Sequence, residues 1–173
     1  LMQCHAIREI DLSSLTKLAV IGNECFSNCR NIKNVNLSSL IKLTEIGSYF
    51  LGYSNDIKEV DLSSSPLIKI GRSFLTNCSL LHTVKFNPNP TITYVGEGFM
   101  SSCVNLENIN LSCLENITSI PSLFLYYCST LKTIDFSNLS ANCAADLPIN
   151  KAITLRSAKI SIALLVNSCQ PKF

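Results

Sequence analysis

The sequence predicts a β-rich α/β solenoid with one short parallel strand per repeat and short helical or 3₁₀ turns on the convex side. Three observations predict it. An Ile/Val-Gly pair recurs as Ile21-Gly22, Ile46-Gly47, Ile70-Gly71 and Val95-Gly96, then as Ile120-Pro121, at spacings of 25, 24, 25 and 25 residues. A strand-like apolar pattern follows each pair at a fixed offset, and such a period marks a stacked array of one supersecondary unit. Composition agrees: 47% of the 173 residues are hydrophobic and 15% charged, which excludes a disordered chain.

Counting from each Ile or Val as position zero, position four holds Cys25, Phe50, Phe74, Phe99 and Phe124. Position five holds Phe26, Leu51, Leu75, Met100 and Leu125, and position eight Cys29, Ser54, Cys78, Cys103 and Cys128. Next comes an alternating segment: Ile32-x-x-Val35-x-Leu37, Ile57-x-x-Val60-x-Leu62, Leu81-x-x-Val84-x-Phe86, Leu106-x-x-Ile109-x-Leu111 and Leu131-x-x-Ile134-x-Phe136. Run backwards, the frame puts Cys4, Ile7, Ile10 and Leu12 on the same slots. Six copies therefore fill residues 1–140, the first lacking its beginning, and the chain reads as a fragment of a longer protein.

Each slot has a physical role. Period-2 alternation around a β-branched residue is a short strand, and identical placement in every copy stacks these strands in parallel about 4.8 Å apart. The glycine after each Ile is a turn residue permissive of positive φ. Segments such as Ser73–Cys78 read as one helical or 3₁₀ turn that drops Phe and Leu into the core. The D/N-L-S-S-L-x-K-L stretch, with Leu15 and Leu18 or Leu40 and Leu43, is the return path. No copy can bury its apolar face alone, so the stack shares one core.

The pattern I-G-x-x-F-L-x-x-C-x-x-L-x-x-V-x-L resembles the leucine-rich repeat, specifically its BspA-like (Treponema pallidum type) class, over about 140 residues. The resemblance implies a right-handed solenoid whose strands line a concave face. It also implies membership of a group rich in surface proteins of bacteria and parasitic protists that adhere to host proteins or cells. The chain departs from the class in its 24–25-residue period and in the Ser after each strand (Asp11-Leu12-Ser13, Asp61-Leu62-Ser63) where Pro is common. Residues 141–173 lose the frame and shift in charge, with four basic residues against one acidic, and read as a C-terminal cap or degenerate repeat. Ile153-Thr154-Leu155 is the candidate for a further strand there.

Catalytic and metal constellations are hard to assemble from these residues. Of nine cysteines, only Cys25-x-x-x-Cys29 approaches metal-ligand spacing, and it has no second half. In-register copies point their Cβ atoms the same way, so Cys4, Cys29, Cys78, Cys103 and Cys128 read as a column of buried free thiols rather than a disulfide ladder. Cys113, Cys143 and Cys169 lie outside that column and are open to pairing. The two histidines, His5 and His82, have no nucleophile and carboxylate arranged around them, so no enzyme, metal or cofactor is expected. A net charge of +2 gives no ground for nucleic-acid binding. The longest apolar run, Ile160 to Val166, is far short of the ~20 residues of a membrane span. Sequons at Asn36, Asn77, Asn110, Asn116 and Asn138 do not decide the compartment, because Asn36 and Asn110 fill the strand slot that Asp11, Asp61 and Asp135 share.

What is left is binding through outward strand positions. Two columns face out: Glu9, Asn34, Glu59, Thr83, Asn108 and Thr133, then Asp11, Asn36, Asp61, Lys85, Asn110 and Asp135. A mostly basic flank of Arg8, Lys33, Lys58, His82, Glu107 and Lys132 edges them. The expectation is a non-enzymatic module that binds a protein ligand, part of a surface adhesin. The alternative is an intracellular scaffold or spacer. The resemblance favours a cell-surface or secreted location, with the cytoplasm open.

Overall fold

The computed structural model describes residues 2–89 and 91–139, together with the backbone of Lys159–Ile160. Its strands run in chain order β1 (Glu9–Asp11), β2 (Val20–Ile21), β3 (Asn34–Asn36), β4 (Glu45–Ile46), β5 (Glu59–Leu62) and β6 (Lys69–Ile70). They continue with β7 (Thr83–Phe86), β8 (Tyr94–Val95), β9 (Asn108–Asn110), β10 (Thr133–Asp135) and β11 (Lys159–Ile160). A 3₁₀ turn at Ser112–Leu114 is the only helical element among the described residues. The architecture is a parallel β-solenoid.

The expected strands are β1, β3, β5, β7, β9 and β10. Each buries its β-branched residue, Ile10, Val35, Val60, Val84, Ile109 or Ile134. Register follows the repeat: Glu9 lies opposite Asn34, Glu59 opposite Thr83 and Asn108 opposite Thr133. The column is interrupted twice. β3 and β5, and likewise β7 and β9, lie side by side without joining in one sheet. β11 adds a rung to β10, Lys159 opposite Thr133; the candidate strand Ile153–Leu155 lies outside the described residues.

Four copies carry a second strand that the sequence reading did not anticipate. β2, β4, β6 and β8 form a four-stranded parallel sheet around the Ile/Val at position zero. That residue is buried while its predecessor faces out, a two-residue version of strand alternation. The next glycine extends the ladder: the Gly47 N–H donates to the Ile21 carbonyl at 2.8 Å, Gly71 to Ile46 at 2.7 Å and Gly96 to Ile70 at 2.9 Å. Pro121 has no N–H to give, and no strand forms at Ile120 among the described residues.

Those glycines correct the expectation of positive φ. None of Gly22, Gly47, Gly71 and Gly96 adopts it; Gly98 is the one described glycine that does, at φ 71°. Close backbone approach is what requires them. A Cβ on Gly71 would sit 2.5 Å from the Gly47 carbonyl carbon, and one on Gly96 2.4 Å from the Arg72 nitrogen.

Positive φ appears instead at alternate residues of the outer turn: Glu24, Phe26 and Asn28; Tyr49, Leu51 and Tyr53; Ser73, Leu75 and Asn77; Gly98, Met100 and Ser102; Leu123, Leu125 and Tyr127. No Val, Ile or Thr stands at any of them, as the left-handed region demands. Each turn retains one or two 3₁₀-type bonds, such as Thr76 N–H to the Ser73 carbonyl at 3.2 Å. The alternation stops it from continuing as a helix and directs the other amides to neighbouring copies. Ser73 donates forward to Glu97, and Leu75 back to Phe50. The outer wall is thus a third inter-copy ladder.

Between the walls runs a single core. Phe50, Phe74, Phe99 and Phe124 stack with centroids 6.0, 5.5 and 5.0 Å apart and interplanar angles of 12–16°. Beside them the position-eight side chains donate to the position-five carbonyl of the preceding copy: Ser54 Oγ to Phe26 at 3.0 Å, Cys78 Sγ to Leu51 at 3.2 Å, Cys103 to Leu75 at 3.2 Å and Cys128 to Met100 at 3.1 Å.

Candidate binding face

The strand-face residues are placed as the alternation requires: Glu9, Asp11, Asn34, Asn36, Glu59, Lys85, Asn108 and Asn110 are exposed, and Asp61, Thr83, Thr133 and Asp135 half-buried. Parallel register turns their columns into ladders of like position. Thr133 Oγ1 donates to Asn108 Oδ1 at 2.6 Å. The Lys85 ammonium reaches Glu59 at 2.5 Å and Asp61 at 3.5 Å. The Glu59 contact is the main reason that the Lys85 amine is held above its ordinary value. Lys132 pairs with Glu107 at 2.8 Å on the flank, and Lys69 with Glu45 at 2.7 Å on the second strand column.

The second outward column also works for the fold. Asp11, Asn36, Asp61, Asn110 and Asp135 each accept the N–H of the Ser two residues on, at 2.9–3.2 Å. This closes an Asx turn at the end of the strand. Ser13 holds the Asp11 carboxyl below the usual range. At Asp61, burial opposes ionisation, but the Ser63 hydroxyl and N–H and the Lys85 ammonium outweigh it, and the net shift is downward. Lys85 cannot make this turn, so in its copy Asn87 accepts the Asn89 N–H two residues later at 2.9 Å.

That substitution belongs to a cluster of departures from the repeat. The return-path Leu40, Leu114 and Leu139 are buried in the core. The corresponding place is filled by Ser65, in a linker one residue shorter, and by Asn89, which is exposed. Ser65 Oγ donates to the Leu40 carbonyl at 3.1 Å and cannot replace the missing volume. A separate notch of about 310 Å³ is lined by Ser63, Val84, Lys85, Phe86, Asn110 and Cys113, with Asn87, Pro88 and Ser112 completing it. Lys85 and Asn110 are strand-face candidates; the other lining residues were not anticipated. Their sequence signal is the out-of-pattern Lys85, Asn87-Pro88 and Cys113, visible only once the copies are aligned.

Cys4, Cys25, Cys29, Cys78, Cys103, Cys113 and Cys128 are free. Burial pushes the Cys78 thiol up to about 12 and the Cys113 thiol up to about 11, the reverse of an activated nucleophile. Cys143 and Cys169 lie outside the described residues. Among the described residues no group of three or more His, Cys, Asp or Glu side chains is placed to hold a metal ion. Nor is any described helix long and apolar enough to cross a membrane.

The profile of the BspA type leucine-rich repeat region matches residues 1–132 and 44–161. The chain belongs to the BspA-type leucine-rich repeat family. No curated protein and no solved structure matches it. BspA-type repeats form an interaction scaffold, and leucine-rich repeat domains typically bind proteins. In this BspA-type array the family pattern acquires a physical content: the Gly marks close backbone approach, the Phe a ring stack and the Cys or Ser a donor to a buried carbonyl.

Proposed function

We propose that the chain is the ligand-binding segment of a surface adhesin and contacts its protein partner through the face of β1, β3, β5, β7, β9 and β10. The observation that carries this reading is the polar strand face itself. Its outward columns hold the carboxylates of Glu9, Asp11, Glu59, Asp61 and Asp135 against the single ammonium of Lys85. A regularly spaced, acidic strand face suits a basic, extended partner. With no tryptophan in the chain and no tyrosine on this face, single contacts are weak and attachment depends on many copies acting together. Displayed on a non-adherent yeast, the chain is expected to confer attachment to wells coated with extracellular-matrix protein or to cultured cells. Attachment no greater than that of undecorated yeast would remove the adhesin reading.

The free thiols favour a second reading, an intracellular scaffold or spacer, because reducing compartments keep cysteines unpaired. Thiol counting on protein from its native cell separates the two.

A further inference from the structure

Three departures from the repeat line one place: Lys85 stands in the Asx-turn column, Asn87-Pro88 replaces the Ser-Ser that opens the return path, and Cys113 replaces a Ser, Pro or Asn. In an array whose other positions repeat, such coincidence marks a place where the fold serves something besides its own packing. The notch lies at the break between β7 and β9, which join different sheets. Its walls are Val84, Phe86, Pro88 and Cys113, and its polar lining is Ser63, Asn110 and Ser112. The volume, about 310 Å³, is at the small end for ligand sites and fits one large side chain with its backbone rather than a cofactor. Beside it, Glu59 and Asp61 share the single cation Lys85, which leaves one negative charge unbalanced.

We propose that this notch anchors an extended segment of the partner protein, taking one apolar side chain between Phe86, Pro88 and Cys113 while a neighbouring Lys or Arg joins Glu59 and Asp61. The proposal rests on the chain being a protein-interaction module and names where, and by what chemistry, the partner is held. Apolar burial supplies the affinity and the carboxylate pair the choice of sequence.

The test is an amide-shift titration of the ¹⁵N-labelled chain with acetyl-Gly-Lys-Leu-Lys-Gly-amide. The expected result is saturable shifts at Val84, Phe86, Asn110 and Cys113. Affinity should fall at least about tenfold when Gly replaces the peptide's Leu, and several-fold in Glu59→Gln, a residue with no role in the turns. The Glu-Leu-Glu analogue should leave the notch unshifted. Ser63→Tyr, at the exposed rim, should block the shifts in a folded protein. Equal binding by the Leu and Gly peptides, or shifts confined to Glu9, Asn34 and Thr133, would overturn the notch and leave the interaction reading standing. The same holds if no peptide binds while displayed chain still mediates attachment. Notch binding without any attachment would sink the adhesin reading alone.

Discussion

The Cys78 thiol donates to the carbonyl of Leu51, 27 residues earlier, at 3.2 Å. Leu51 has φ 52°, and its carbonyl accepts two bonds, the Ser54 N–H of its own copy at 3.1 Å and the Cys78 thiol of the next. Ser54 makes the same side-chain contact one copy earlier, toward Phe26. The recurring Cys is therefore a compact donor, large enough to fill its place in the core and polar enough to donate to a carbonyl.

From this it follows that donor capacity, more than sulfur, is what position eight requires. Cys78→Ser should cost under about 1 kcal/mol. Cys78→Ala, which removes the donor and leaves the Leu51 carbonyl with the Ser54 N–H alone, should cost about 0.5–1.5 kcal/mol more. Urea unfolding followed by far-UV circular dichroism measures both. Equal losses would show the column to be mere packing.

Alkaline pH tests the same thiol. Its folded value, about 12, stands above the ordinary thiol value of 9.0, so folding favours the protonated form. The stabilisation is whole below pH 9 and is lost as pH rises from 9 toward 12, at about 1.4 kcal/mol per unit for this one group. The urea midpoint should fall in that window, and less steeply in Cys78→Ser.

Glycine substitutions separate close approach from turn conformation. Gly71→Ala puts a Cβ 2.5 Å from backbone atoms of the preceding copy and should destabilise by more than about 3 kcal/mol. Gly22→Ala meets nothing within 4 Å at a φ that is not positive, and should be neutral or stabilise by a few tenths of a kcal/mol. Thermal melts of the two variants suffice.

The outer turn makes a third claim. Leu123 is exposed at φ 57°. Leu123→Asn should hold or raise stability, because Asn tolerates the left-handed region, whereas Leu123→Val should lose about 1–2 kcal/mol. Identical melting of both would contradict alternating φ in the outer wall.

The strands around Ile10, Val35, Val60, Val84, Ile109 and Ile134 were legible because burial on one face leaves a period of two in the sequence. The Phe stack and thiol column were legible because identical neighbours are good neighbours in a parallel stack. The β2–β8 sheet was not, since two residues are too few to show a period. The left-handed steps were hidden too: their mark is the lack of Val, Ile and Thr at three alternate slots, and attention to glycine pointed elsewhere. On the strand face, the exposed positions were legible, but the Asx turns of Asp11, Asn36, Asp61, Asn110 and Asp135 were not distinguished from binding. The notch was obscured because it joins residues of three copies, Ser63, Lys85 and Asn110 among them, and the departures from the pattern there show only once the copies are aligned.

The central functional claim is that the partner is held on the β5–β7 face. The most direct measurement is surface plasmon resonance on an immobilised matrix protein that the displayed chain adheres to. It compares the intact chain with Glu59→Lys/Asp61→Lys/Lys85→Glu and with a control, Glu45→Lys/Lys69→Glu, which swaps the ion pair of the second strand column. The account predicts at least about tenfold weaker binding for the first variant and unchanged binding for the control, with both folded. Undiminished binding by the first variant, or equal loss in both, would contradict it.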